Sequence, residues 1–353
     1  MYRFRSIASI LALVWLGGCT TLPVHRAPAA GSYAERPAPH GTESLPNWPM
    51  SPQQIEGLIF SGAYEVQSVS GAGAGTTGAE GVVLAFPDEG LEAKIKLKLM
   101  DPRWKLITQR LDGINNSPRK ELAAWEIQKL FLEPEDYVAP FTMSYCIPLA
   151  DAYGEHRELP PTLEGSQCLL GVVAVWLNDI TLSLPVLDPE RFNRDYTYAY
   201  YLANLNLFTY LIKHHDGREG NFLASKDDAR RQMFSIDNGV SFGAGFAGLF
   251  YNWFVPNWNS IRVPAMRKES IDRLRGLTED DVTAALGVVS QLELNDEGVY
   301  VNVPPGENLD PDHGVRIEGD VLQFGLTDDE SEDVWERIED LIEDVDEGDV
   351  PVF

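Results

Sequence analysis

From residue 91 to residue 99 apolar and polar side chains alternate without a break. A period of two sends Leu91, Ala93, Ile95, Leu97 and Leu99 to one face of a strand and Lys94, Lys96 and Lys98 to the other. Upstream, residues 82–86 read as a strand and 87–90 (Pro-Asp-Glu-Gly) as a turn, while 70–78 form a Gly-rich loop after an earlier strand. The first half of the chain is therefore expected to rest on antiparallel strands, one of which presents a row of cations. Apolar residues make up 44% of the sequence, enough for a sizeable core, so global disorder is ruled out.

A helix follows. Ser117 suits its N-cap and Pro118 its first position. Ala123, Ala124, Ile127, Leu130 and Phe131 share one helical face, with Glu121 and Glu126 off that stripe. Further strands are expected around Cys146 and Cys168, separated by a long loop. Residues 169–177, an unbroken apolar run, have the length of a buried strand. Tyr201, Leu202, Leu205, Phe208 and Ile212 recur at helical spacing and lead into His214-His215-Asp216. Residues 221–223 and 233–236 form a short hairpin around a polar turn, and Asp237-Asn238-Gly239 comes directly after it. No internal repeat is present.

The chain has 353 residues and 28 Lys+Arg against 54 Asp+Glu, a net charge of −26. That balance argues against a nucleic-acid partner, which needs a basic footprint. About −12 of it sits in residues 327–353, where Trp335, Ile338, Leu341, Ile342 and Val345 mark an amphipathic helix with a solvated acidic face. At the other end, Arg3 and Arg5 precede an apolar stretch that closes on Leu16-Gly17-Gly18-Cys19. This segment resembles a bacterial lipoprotein signal, which implies lipidation of Cys19 after removal of residues 1–18. Thr20 in the next position implies sorting to the outer membrane. Residues 19–52, rich in Pro, Ala, Gly and Ser, read as a flexible tether. Cys146 and Cys168 remain as a candidate disulfide, the alternative being two separate buried thiols. No Cys/His cluster has zinc spacing.

Five features then occur in one order: a Gly-rich loop, a strand lysine, a helical Glu, His-x-Asp-x-x-x-x-Asn and Asp-x-Gly. Phosphoryl transfer from ATP asks for these parts. Flexible backbone approaches the triphosphate, a lysine neutralises it and a Glu orients the lysine. One Asp aligns the acceptor hydroxyl, while Asn and a second Asp supply hard oxygen ligands to a divalent metal. Taken singly, each piece has an ordinary reading as a loop, a solvated strand face or a turn.

The stretches SPRKELAAWEIQKLFLEPEDYVAP and KHHDGREGNFLASKDDARRQMFSIDNGVSFG resemble the protein-kinase-like superfamily. They come nearest to its atypical branch of secretory-pathway kinases and phosphatidylinositol-kinase-like proteins. The likeness covers residues from about 65 to 245. It implies an α+β, two-lobed protein-kinase-like fold, with an antiparallel N-lobe sheet and one helix over 53–178 and a mainly helical C-lobe over 179–326. It also implies Asp216 as the catalytic Asp, Asn221 and Asp237 as metal ligands, and Glu121 as the partner of the ATP lysine. Lys94, Lys96 and Lys98 share a face, so the lysine stays ambiguous; Lys96 is the first choice and Lys98 the next. Gly71, Gly73 and Gly75 would approach the nucleotide, and Arg218 would neutralise phosphate or lie on the surface. His215 stands where ordinary kinases have Arg, and no Ala-Pro-Glu element follows Asp237. Trp253 and Trp258 either line a substrate groove or pack in the core.

The expected function is an ATP- and Mg2+- or Mn2+-dependent phosphotransferase of the bacterial envelope, acting on a hydroxyl of a protein, glycan or lipid headgroup. Two alternatives stay open. One is a binding or scaffold protein on the same fold, favoured by an envelope address that is not supplied with ATP; the other is nucleotidyl transfer. Replacing Cys19 by Ser is expected to release the protein from membranes, which fractionation and immunoblotting would check; tight retention of the variant would remove the lipid anchor.

Overall fold

The computed structural model describes residues 47–60, 64–71, 79–100, 118–181, 188–217, 219–227, 231–243 and 258–353. Cys19, Gly73, Gly75, Ser117, Arg218 and Trp253 lie outside them. The architecture is α+β, with seven α-helices and three antiparallel sheets among the described residues.

The first sheet holds β1 (Glu65–Gly71), β2 (Glu80–Phe86), β3 (Leu91–Leu99), β4 (Thr142–Pro148) and β5 (Cys168–Val175), in the order β1-β2-β3-β5-β4. Alternation in β3 sorts its residues as the pattern predicts: Ala93, Ile95 and Leu97 are buried on one face, and the three lysines stand on the other. A helix upstream of the sheet, α1 (Pro52–Phe60), lays Ile55 and Ile59 on the apolar face, beside Val82, Leu84 and Phe86. Trp48 and Met50 are buried in the same cluster, and Asn47 donates through Nδ2 to the backbone oxygens of Asn178 and Asp179. Composition assigned these residues to the tether; their aromatic and apolar side chains instead make residues 47–52 part of the folded body.

Between β3 and β4 runs α2 (Pro118–Ile127), buried on nearly every side. Its residues enter all three cores: Ala123, Ala124 and Ile127 join the helical core, Trp125 the core of the first sheet, and Leu122 a third cluster. Glu121, off the apolar stripe, is nonetheless buried with Arg119 and Lys120. Beyond α2, the amide of Gln128 is fully buried and fixes the chain reversal. Its Oε1 accepts from the N–H groups of Val138 and Ala139, and its Nε2 donates to the Trp125 and Ala139 oxygens.

The chain then forms β6 (Ile180–Thr181), α3 (Pro189–Arg194) and α4 (Tyr196–Leu211), followed by the hairpin β7 (Phe222–Ser225) and β8 (Met233–Ser235). The strands pair as β6-β7-β8. After α5 (Lys268–Leu274) and α6 (Glu279–Leu286) comes a departure from expectation. Residues 179–326 are not mainly helical, because β9 (Ser290–Leu294), β10 (Tyr300–Val303), β11 (Val315–Glu318) and β12 (Val321–Phe324) build a four-stranded sheet. Each strand is only four or five residues long, too short for alternation to stand out. This sheet covers the lysine-side face of β4 and β5, where Leu292, Tyr300, Leu322 and Phe324 meet Leu170 and Val172. Closure depends on small residues: a Cβ at Gly325 would stand 1.8 Å from the Gly287 oxygen.

The acidic C-terminal segment forms α7 (Asp328–Glu347), opened by a capping box between Thr327 and Glu330. Ile338 and Leu341 are buried and Trp335, Ile342 and Val345 half-buried, as the stripe predicts. The segment is not a detached tail, since its apolar stripe is part of the helical core.

Cys146 and Cys168 form a disulfide across β4 and β5, with Cα atoms 5.5 Å apart and a sequence separation of 22. Opening a loop of that size is expected to cost about 3 kcal/mol. Urea unfolding of Cys146→Ser against the oxidised parent would measure it, and coincident curves would show that the bond contributes nothing to stability.

Candidate functional site

The lysines of β3 have three different surroundings. Lys94 lies over the Trp176 ring, 3.7 Å from its centroid. Lys96 Nζ is 3.3 Å from Asp237 Oδ1. Lys98 Nζ reaches both Glu121 Oε1 at 3.4 Å and Asp237 Oδ1 at 3.3 Å. The partner of Glu121 is therefore Lys98 and not Lys96, the first choice from sequence. All three lysines share a face, but the one nearest the strand's end meets α2. Its side chain is only 6% exposed, so this pair is screened far less than a surface bridge. The second oxygen of Glu121 accepts the Asn238 N–H at 3.0 Å. One helical carboxylate thus holds the strand lysine and the backbone just after Asp237.

Asp237 follows β8 with φ of 61°, a left-handed conformation that Asp and Asn tolerate better than most side chains. The loop is held from both sides. Asn238 exchanges hydrogen bonds with Ser235, and the His215 N–H donates to the Val240 oxygen. Burial works to raise the Asp237 pKa, but Lys96 and Lys98 outweigh it and hold the carboxyl well below the usual carboxylate range. Burial likewise opposes charge on Lys96, while Glu121 and Asp237 raise its pKa on balance.

After α4, the chain turns through His214, His215 and Asp216. Asn221 donates through Nδ2 to both the backbone oxygen and Oδ2 of Asp216, each at 2.8 Å, and its own backbone oxygen accepts the Ile236 N–H. Asp216 and Asn221 are thereby tied to each other, and Asn221 is seated against the turn that leads from β8 to Asp237. A Cβ at Gly217 would lie 2.8 Å from Trp258 Cβ, so glycine is what lets this loop pack on the buried indole. Trp258 stacks edge-on against Phe222, a core role.

Two residues before Glu121 and one before it, α2 carries Arg119 and Lys120, which bind Glu330 at the start of α7. Arg119 makes two contacts with Glu330 at 2.5 and 2.8 Å, and Lys120 stands 3.4 Å away. Lys120 also donates to the backbone oxygens of Ser241 and Phe242, downstream of Asp237. Burial pushes its pKa down to about 8, against the pull of Glu330. Sequence reading placed Lys98 second to Lys96 as the pairing lysine and missed Lys120 and Glu330. The adjacent charges Arg119-Lys120-Glu121 on a helix with few exposed positions were the available signal.

A divalent metal would find hard donors here: the Asp237 carboxylate and the amide oxygen of Asn221, whose nitrogen is committed to Asp216. No group of three or more His, Cys, Asp or Glu side chains is arranged for an ion among the described residues. The donor set fits Mg2+ held partly by phosphate oxygens better than a cage built by protein alone. Of the loop glycines, Gly71 is the exposed last residue of β1. A separate cavity of about 710 Å3 opens on the other face of the first sheet, lined by Tyr64, Glu80, Tyr145, Tyr153 and His156 among others. It includes none of the residues above.

No protein-family model matches the chain, and a search of the curated proteins returns no match.

His214 is fully buried, with neither ring nitrogen hydrogen-bonded, and burial lowers its pKa from 6.5 to about 4. Between those values the unfolded chain binds a proton that the native state refuses. Stability contributed by the neutral ring is complete above pH 6.5 and is lost as pH falls toward 4, by up to about 3 kcal/mol. His214→Leu is expected to flatten that acid limb in urea titrations at pH 4–7; an unchanged slope would show that the imidazole is not its source.

Proposed function

We propose that this protein is an ATP- and divalent-metal-dependent phosphotransferase of the bacterial envelope, with a two-lobed protein-kinase-like arrangement and a hydroxyl-bearing acceptor. The observation that carries the reading is Lys98, on the third strand, bridging Glu121 of the following helix and Asp237 of the Asp-Asn-Gly turn. In phosphoryl transfer a strand lysine paired with a helical Glu holds phosphate, and an Asp after a short hairpin holds metal. Generic surface chemistry has no need of a lysine and two carboxylates gathered from β3, α2 and the turn after β8.

In this reading Lys98 binds phosphate oxygens and Glu121 keeps its ammonium in place. Asp216 faces the acceptor hydroxyl and takes its proton, oriented by the two hydrogen bonds from Asn221. Asn221 and Asp237 hold the metal, which when bound neutralises phosphate charge. The lipid-modified Cys19 keeps the enzyme at the membrane.

Thermal unfolding of the full-length chain in detergent, with ATP and Mg2+ or Mn2+, tests this. Ligand at a hundredfold excess over Kd is expected to add about 2.7 kcal/mol. The resulting rise in Tm should require metal and disappear in Asp237→Ala. No rise with either metal would sink the phosphotransferase and leave a binding protein on this fold.

A further inference from the structure

The lysine face of β3 carries two cations beyond the Glu121 pair: Lys94, which lies over Trp176, and Lys96. Lys96 and Lys98 both contact the same oxygen of Asp237, each at 3.3 Å. A divalent ion taking that carboxylate would sit beside two ammonium groups and be repelled by both. The two lysines are not equivalent when Asp237 lets go. Lys98 keeps Glu121, whose other oxygen is anchored on the Asn238 N–H. Lys96 is different: among the described residues, Asp237 is the one carboxylate within ion-pair distance of it. Its cross-strand neighbours are Gly81 on β2, the strand that follows the Gly-rich loop, and Ala174 on β5. A mostly buried ammonium deprived of its carboxylate needs another anion.

We propose that Lys96 is a second phosphate-binding lysine, stored on Asp237 until a polyphosphate arrives, so that Asp237 exchanges lysine for metal only when nucleotide is present. This rests on the phosphotransferase reading and adds an order to it. Phosphate draws Lys96 and Lys98 off the carboxylate, and the vacated oxygen then accepts the divalent ion. Metal without nucleotide meets a carboxylate that is already neutralised.

The test is free-Mn2+ electron paramagnetic resonance on the full-length chain in detergent. Specific binding is counted as the Mn2+ taken up beyond that bound by Asp237→Ala, which removes the contribution of the acidic surface. The parent is expected to show no specific Mn2+ site alone and to gain one with ATP. Lys96→Met is expected to bind Mn2+ without nucleotide at least tenfold more tightly than the parent. It should also lose at least tenfold in ATP affinity, with a smaller loss for ADP and none for adenosine. Specific Mn2+ binding by the parent alone, as tight as with ATP, would overturn the exchange while leaving the phosphotransferase standing. A Lys96→Met variant that matches the parent in both titrations would overturn the role of Lys96. Failure of the parent to bind Mn2+ even with ATP would overturn the functional reading itself, and this inference with it.

Discussion

A helix that is buried on nearly every side and still carries three consecutive buried charges sets the terms for the whole structure. Uncompensated, Arg119, Lys120 and Glu121 would make α2 impossible to bury, since each isolated ion costs several kcal/mol to desolvate. The three therefore recruit partners from distant parts of the chain: Glu121 takes β3 and the Asp237 turn, while Arg119 and Lys120 share Glu330 at the start of α7. Because α2 also feeds apolar residues into all three cores, these ion pairs and the packing constrain the same element. The acidic C-terminal helix is thus tied to the centre of the molecule by one carboxylate, Glu330, while most of its acidic residues face solvent.

That arrangement gives the site its rigidity. Asp237 sits in a left-handed conformation, between a hairpin strand before it and backbone groups held by Glu121 and Lys120 after it. Neither contact touches the Asp237 carboxyl. The side chain is left to respond to cations, while the backbone after it is fixed by Glu121 and Lys120.

Much of this was legible because it follows from period. Alternation in residues 91–99 reported a strand and its lysine face, and helical spacing reported α4 and α7. Two cysteines on neighbouring strands met as one of the two open readings allowed. What escaped depends on distance in sequence. No local pattern shows that Glu330 returns to residue 119, or that Lys98 and not Lys96 faces Glu121, because strand period gives the face and not the depth along it. The β9–β12 sheet escaped for another reason. Its strands are too short for period two to separate from chance, and they are stabilised by packing on β4 and β5. Trp48 and Met50 were hidden by the Pro- and Ala-rich composition around them.

Net charge and site charge pull in opposite directions. A chain at −26 repels a free polyphosphate at long range, yet its candidate cleft gathers two lysines on one strand face. Screening limits the repulsion to about 8–10 Å at physiological salt, whereas the buried Lys98–Glu121 pair is screened much less. The local field therefore decides binding once a ligand is close, and the global field decides how often it comes close. A phosphate that arrives already complexed with a divalent cation carries less negative charge and meets less of that repulsion. In the proposed exchange the same cation would take the Asp237 oxygen that the lysines vacate, so one ion would answer both the distant and the near electrostatic demand.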